Sequence, residues 1–414
     1  MVRTLLTVAA VLVGIAFVSS GTGLLATTVG IRLAQHDTAS VIVSLVLTGY
    51  PLGFLLGCLL GRQAIAAVGP VRAFAAFGGL ATASALGLGL TDDPYVWTAL
   101  RAGAGFCSAG LYMVTESWLN ARATAGTRGA VLATYMISDK LSYAGGQALV
   151  AVADPGGVVQ FMVAAMLFGL CLVPVSLSRA EAPFVGGAKS YGLLRLFRVS
   201  PVAVAATLGC GAANSAVSMA GPTYASAIGL DTGQIALFMS LIFMGGLTLQ
   251  WPIGWLSDRF DRRSVLFGAL LATATVAIVT ALMGKSAEAL YVVGFLFGGV
   301  AFVIYPLAVG HANDFIAPGE VVGVSAGLLM SWAIGSVAGP PVAGLMMGWI
   351  GPAGLFAFVA GIYVVIAGFT LYRMRVRQAT PTAQQGRFVA MPTAPVVSSL
   401  NPRSDQDGAR RFGD

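Results

Sequence analysis

Charge is the scarcest property of this chain. Only 9% of its residues are Asp, Glu, Lys or Arg, where a soluble domain carries about a quarter. With 57% of residues hydrophobic and a mean hydropathy of +0.85, a soluble fold would expose apolar patches large enough to aggregate. Histidine is rarer still. The two, His36 and His311, stand far apart at opposite predicted membrane edges, so a multi-histidine metal site is not expected. The four cysteines, Cys58, Cys107, Cys171 and Cys210, sit inside apolar runs without metal-ligand spacing. They read as small packing residues, with no disulfide framework or zinc site. The formal charge of +7 does not point to nucleic acid, because the basic residues fall in short loops between apolar runs. No catalytic constellation, phosphate loop or cofactor site is present in the sequence, so neither an enzyme nor an ATP-driven machine is expected.

What the chain does have is twelve apolar segments, each long enough to cross about 30 Å of hydrocarbon. They run over about 4–25, 39–60, 71–90, 95–118, 129–152, 158–178, 201–226, 231–254, 264–284, 288–311, 323–347 and 351–372. The first is long and lacks a clear small-x-small cleavage site, so it reads as a span and not a signal peptide. If the N-terminus is cytoplasmic, the inner loops hold Arg62, Arg72, Arg122, Arg128, Arg259, Arg262 and Arg263, and Arg373, Arg375 and Arg377 follow the last span. A central connection at about 179–200 adds Arg179, Lys189, Arg195 and Arg198. The outer loops then keep Arg32 and Lys285 among Asp37, Asp92, Asp93, Asp154 and Asp231. The positive-inside rule therefore puts both termini in the cytoplasm.

Sliding the chain by about 194 residues lays Gly105 on Gly299, Gly129 on Gly323, Gly145 on Gly339 and Ser20 on Asn214. The reading is an all-α membrane protein with twelve transmembrane helices in two six-helix pseudo-repeats. Residues 1–180 form one half, 181–200 a cytoplasmic linker, 201–372 the second half and 373–414 a disordered cytoplasmic tail. Such repeats place a substrate site near the midplane between halves. The tail, rich in Thr, Pro, Gln and Ser, has no pattern that could form a core.

One turn carries a specific motif. Gly254-Trp-Leu-Ser-Asp258-Arg259-Phe-Asp-Arg262-Arg263 packs five charges and a glycine between two apolar segments. In lipid the chain can turn only outside the hydrocarbon, so this is a loop. It resembles the signature loop of the major facilitator superfamily (MFS). With 229–263, Tyr305–Asp314, Glu116–Asn120 and a first-half loop in which Gly61 replaces the aspartate, the chain is similar to the bacterial YcaD-like branch over about 1–372. The resemblance implies a twelve-helix secondary transporter of the bacterial inner membrane with this MFS fold. It also implies a cytoplasmic latch, in which Asp258 meets the N-terminus of a neighbouring helix and Arg259 and Arg262 pair with carboxylates. Glu116 is a further latch candidate through Arg62 or Arg72; alternatively it is an interfacial acid beside the Trp118 anchor.

Asp139 and Lys140 lie near the middle of the fifth segment, where charge is costly and marks a pathway or a pair. Neighbours on a helix point about 100° apart, so the two are not expected to neutralise each other face to face, and one or both should find partners on other helices or in a water-filled cavity. Asp139 is the candidate for proton or substrate coupling, with Lys140 as its modulator or an anion site; a purely structural ion pair is the alternative. Arg101, in Trp97-x3-Arg101-x3-Gly105, resembles the family's arginine motif and is either an anion or coupling residue or a cation snorkelling to the interface. Asn214, Ser215 and Ser218, with Ser19, Ser20 and Thr22, are polar at cavity depth. Gly335-x3-Gly339-Pro340-Pro341-x2-Gly344 is expected to break or thin the eleventh helix. The expected function is a monomeric, proton-coupled secondary transporter of a small molecule. The alternatives are a non-transporting sensor or scaffold on the same fold, or an uncoupled facilitator.

Overall fold

The computed structural model describes residues 2–35, 39–123, 127–177, 192–283, 286–316, 320–376, 385, 386, 388 and 389. Most of the expected linker and tail lies outside them, as do His36, Asp37, Arg179, Lys189, Lys285 and Arg377. The helices are α1 (Val2–Gln35), α2 (Ser40–Val68), α3 (Pro70–Leu90), α4 (Pro94–Arg122), α5 (Arg128–Ala148), α6 (Val159–Leu170) and α7 (Leu172–Ser176) in the first half. A short α8 (Leu193–Val199) precedes α9 (Pro201–Ala227), α10 (Thr232–Arg259), α11 (Arg262–Leu282), α12 (Ala287–Ala301), α13 (Ile304–Asn313), α14 (Val321–Ile350) and α15 (Gly354–Val376).

Ten segments are long and apolar enough to cross a membrane, α6 with α7 and α12 with α13 each counting as one. The helices α4 and α5, of 29 and 21 residues, are also long enough but are diluted by Arg101, Glu116, Asp139 and Lys140. These twelve fall on the expected spans, with α1 and α2 running past theirs, and several of their ends are written locally. Asp93 accepts from the amides of Tyr95 and Val96 at the start of α4. Asp231 and Gln234 form a reciprocal capping box on α10. Asp261 caps α11. These side chains satisfy amides that a helix start leaves open.

Small residues set the packing. Gly105 of α4 abuts the Tyr50 carbonyl of α2, and Gly298 of α12 abuts the Ile242 carbonyl of α10. Gly146 of α5 abuts Ser20 of α1, and Gly339 of α14 abuts Ala212 of α9. None of the four sites has room for a β-carbon. The same close contact thus recurs in both halves, pairing Gly146 with Gly339 and Gly105 with Gly298. That is one residue off the match given by sliding the sequence.

Three expectations change. Helix α1 continues to Gln35, about ten residues beyond the predicted span. Arg32, expected in a loop, is buried in its last turn, bound to Asp92 at 2.6 Å and to the carbonyls of Gly156 and Gly157. Pro340 and Pro341 do not break α14, which runs unbroken from Val321 to Ile350. Gly335 and Gly339 instead let α14 press on α9, and Gly344 lets it press on Ser44 of α2.

The halves meet from mid-depth to the face that carries Asp92, Asp154 and Asp231, called here the acidic face. Thr223 donates to the Gly30 carbonyl at 2.9 Å, and Ser240 to the Ala144 carbonyl at 2.9 Å. Tyr143 stacks on Phe243 with centroids 4.3 Å apart. The opposite, arginine-rich face carries the turn at 254–263.

Candidate functional site

A cavity of about 170 Å³ lies between the halves at mid-depth. Its walls are largely aromatic: Tyr50, Phe54, Tyr112 and Tyr143 from the first half, Phe243, Phe302, Tyr305 and Trp332 from the second. Among the described residues lining it, Asp139 and Lys140 are the charged ones.

Asp139 is buried on α5. Its Oδ1 accepts from Ser19 Oγ of α1 at 2.6 Å and from the Tyr112 hydroxyl of α4 at 2.8 Å. Ser19 and Tyr112 are themselves 3.1 Å apart. Three helices therefore converge on one carboxylate. Lys140 Nζ lies 3.2 Å from Asp139 Oδ2. This corrects the expectation that neighbouring residues cannot neutralise each other: the lysine stem is long enough to bend its ammonium back across the 100° offset. The same ammonium stands 5.9 Å from the Phe243 ring in the other half, within cation–π range.

Asn214 and Ser215 line the opposite wall, and Asn214 Oδ1 accepts from the Tyr363 hydroxyl at 3.5 Å. Gln250 Nε2 and Trp332 Nε1 have no hydrogen-bond partner among the described residues, and both side chains line the cavity. Buried donors without partners are costly; both nitrogens are buried behind the cavity surface, so a solute's acceptor reaches them after a side-chain rotation. Ser20 does not join the site. Its hydroxyl donates to the Ser142 carbonyl at 3.0 Å in the α1–α5 interface, one residue and 100° of helix away from Ser19. Thr22 returns its hydroxyl to the Val18 carbonyl.

Arg101 is buried and does not snorkel. Its Nε donates to the Val46 carbonyl at 3.1 Å, a terminal nitrogen meets Met219 Sδ at 3.0 Å, and its guanidinium lies 5.9 Å from the Tyr50 ring. It borders a small void behind Tyr50, not the main cavity.

At the arginine-rich face, Arg262 is the centre of the turn. It is 1% exposed and holds Asp314 at 2.6 Å, the Gly310 carbonyl at 3.0 Å and Ser257 Oγ at 3.2 Å. Arg259 departs from the expected carboxylate pairing, because its guanidinium stacks 3.8 Å over the Trp255 ring. Asp258 does not meet a helix N-terminus in this conformation; it accepts from the backbone amide of Phe388. Glu116 is fully buried and accepts from the Tyr135 hydroxyl at 2.9 Å. Its proposed partners Arg62 and Arg72 are exposed and form no ion pair among the described residues, and Trp118 is buried against Phe74 instead of anchoring at an interface.

Sequence reasoning missed Tyr112, Gln250 and the aromatic walls. The signal for Tyr112 was present: Arg101, Gly105, Ser108, Tyr112 and Glu116 are spaced by three or four residues and share one stripe of α4.

The family model for the Major Facilitator Superfamily matches residues 202–404. YcaD of Escherichia fergusonii, an uncharacterized MFS-type transporter, is 27% identical over 354 residues, covering 84% of this chain and 91% of its own. YcaD of Shigella flexneri gives the same identity and coverage. Among solved structures, the nucleoside transporter NupG superposes with a TM-score of 0.76 at 13% identity, over 90% of this chain and 100% of that one. A bacterial homologue of the human lysosomal transporter Spinster, inward-facing and occupied, gives 0.71 at 13% identity, over 89% and 96%. These superpositions show the fold. The chain is a multi-pass membrane protein with the MFS fold, its second half matches the Major Facilitator Superfamily model, and most of its length is similar to MFS-type transporters.

Proposed function

We propose that the chain is a secondary active transporter that moves a small molecule by alternating access, with protons coupled through Asp139. The arginine-rich face is taken as cytoplasmic in a bacterial inner membrane, with both termini on that side. The contacts at the acidic face then make this the inward-facing state.

The observation that carries the reading is the setting of Asp139. It is the carboxylate at the cavity wall, and its partners can serve either protonation state. Hydroxyl groups both donate and accept, so either Ser19 or Tyr112 can turn to accept from a protonated Asp139, the other still donating, without moving a heavy atom. Lys140 cannot do this. Neutralising Asp139 removes its counter-charge and leaves Phe243 of the other half, or a solute, as its nearest partner. Protonation is thereby tied to a contact between halves.

The walls suit a cyclic or aromatic solute that carries hydrogen-bond acceptors for Gln250 and Trp332. A thermal-shift screen of such compounds, with wild type and Asp139→Asn in parallel, tests this. Bound solute raises the midpoint by mass action. A dose-dependent hit that weakens in Asp139→Asn supports the site; hits indifferent to it place the solute elsewhere. Transport of a hit that ignores an imposed pH gradient would make the protein an uncoupled facilitator.

A further inference from the structure

At the turn that closes the arginine-rich end of α10, residues Gly386, Phe388 and Val389 lie against the bundle. A single residue, Gly386, reads the buried Arg262–Asp314 pair from both sides. The Gly386 amide donates to Asp314 Oδ1 at 3.2 Å, and its carbonyl accepts from an Arg262 terminal nitrogen. Two residues on, the Phe388 amide donates to Asp258 Oδ1. The Phe388 ring lies against the bare backbone of Gly254, where a β-carbon would collide with it. Phe388 and Val389 are both packed against the hydrophobic core. Gly386 and Phe388, in a stretch expected to be structureless, make three backbone hydrogen bonds and one aromatic contact here.

The place of that ring matters. Phe243, Gln250 and Gly254 are spaced by a heptad and then by one helical turn, so they share a stripe of α10. At Phe243 the stripe touches Tyr143 of α5 across the halves. At Gln250 it faces the central cavity. At Gly254 it carries Phe388. The ring therefore continues the line along which α5 and α10 face each other, and it fills a glycine notch of the kind that lets membrane helices approach closely.

We propose that the turn at Gly254, Asp258, Arg262 and Asp314 is a peptide-binding site whose occupant is the chain's own segment at Gly386, Phe388 and Val389, and that the docked segment holds the arginine-rich face open. Occupancy rests on the contacts alone. Only the gating consequence rests on the alternating-access reading.

The test uses the full chain in lipid nanodiscs and two readouts. Amide hydrogen exchange over 385–389 reports docking. Nitroxide labels on Gly129→Cys and Phe260→Cys, near the ends of α5 and α10, report opening of this face. Docking predicts protection of about tenfold or more over the same sequence as a free peptide, lost in Phe388→Ala and in Gly254→Ala. Both variants, and a chain ending at Val376, gain a shorter label distance. A synthetic peptide of residues 383–392, added to the shortened chain, suppresses that distance again. Exchange as fast as the free peptide in wild type overturns the site. Protection in wild type with label distances unchanged in every variant overturns gating and leaves the central transport reading standing.

Discussion

Ser19 donates a 2.6 Å hydrogen bond to Asp139 and so ties α1 to α5 at the depth of the cavity. With Tyr112 at 2.8 Å, it saturates one carboxylate oxygen while Lys140 takes the other. A carboxylate held this tightly in the bundle interior needs each donor. Stripping both with Ser19→Ala and Tyr112→Phe is expected to lower stability by about 1–3 kcal/mol per lost partner. The same pair of substitutions in Asp139→Asn should cost less, because the charge they serve is gone. A double-mutant cycle on thermal midpoints measures this coupling; additive effects would show that the hydroxyls do not hold the carboxylate.

The free donors on the cavity wall predict a binding defect without a folding defect. Gln250→Leu keeps the volume close but removes Nε2, and should weaken a screened ligand by roughly tenfold, about 1.4 kcal/mol. Thr248→Ala, on the exposed side of the same helix with its hydroxyl returned to the Met244 carbonyl, should leave affinity unchanged. Titration of the thermal shift with ligand compares the two.

Glycines divide into two groups that one substitution separates. A β-carbon at Gly146 or Gly339 meets backbone of the facing helix, whereas at Gly268 or Gly361 it meets nothing within 4 Å. Gly146→Ala and Gly339→Ala are expected to give little monodisperse protein. Gly268→Ala and Gly361→Ala should be neutral, or stabilising by up to about 1 kcal/mol from helix propensity. Size-exclusion profiles and thermal midpoints of the four variants decide this.

The acidic face should be arrestable by a covalent link. Ser240 reaches the Ala144 carbonyl across the halves at 2.9 Å, so Ala144→Cys with Ser240→Cys, in a Cys58→Ser background, should cross-link on oxidation. The linked protein should bind ligand but not transport it, and reduction should restore transport. Transport at the wild-type rate by fully linked protein would show that this contact need not open.

The architecture was legible because its determinants are local: apolar length, loop charge and capping residues at helix ends. The site was legible in part. Asp139 and Lys140 stand out because charge at mid-span is rare, but their mutual contact depends on a flexible stem that a helical wheel does not represent. Ser19 and Ser20 cannot be told apart by composition, and a one-residue step turns the hydroxyl from the Asp139 carboxylate to the Ser142 carbonyl. The prolines of α14 suggest a break, yet neighbouring helices packed on Gly335 and Gly339 hold the rod continuous. Docking at Gly386 and Phe388 uses backbone atoms, which leave almost no mark on composition.

The most direct test is uptake into proteoliposomes under an imposed pH gradient, using a ligand found in the screen, for wild type and Asp139→Asn. Wild type should accumulate the ligand beyond equilibrium while the gradient lasts. Asp139→Asn, folded and able to bind, should at most equilibrate it, with no response to pH. Gradient-driven accumulation by Asp139→Asn equal to wild type would contradict proton coupling through this residue.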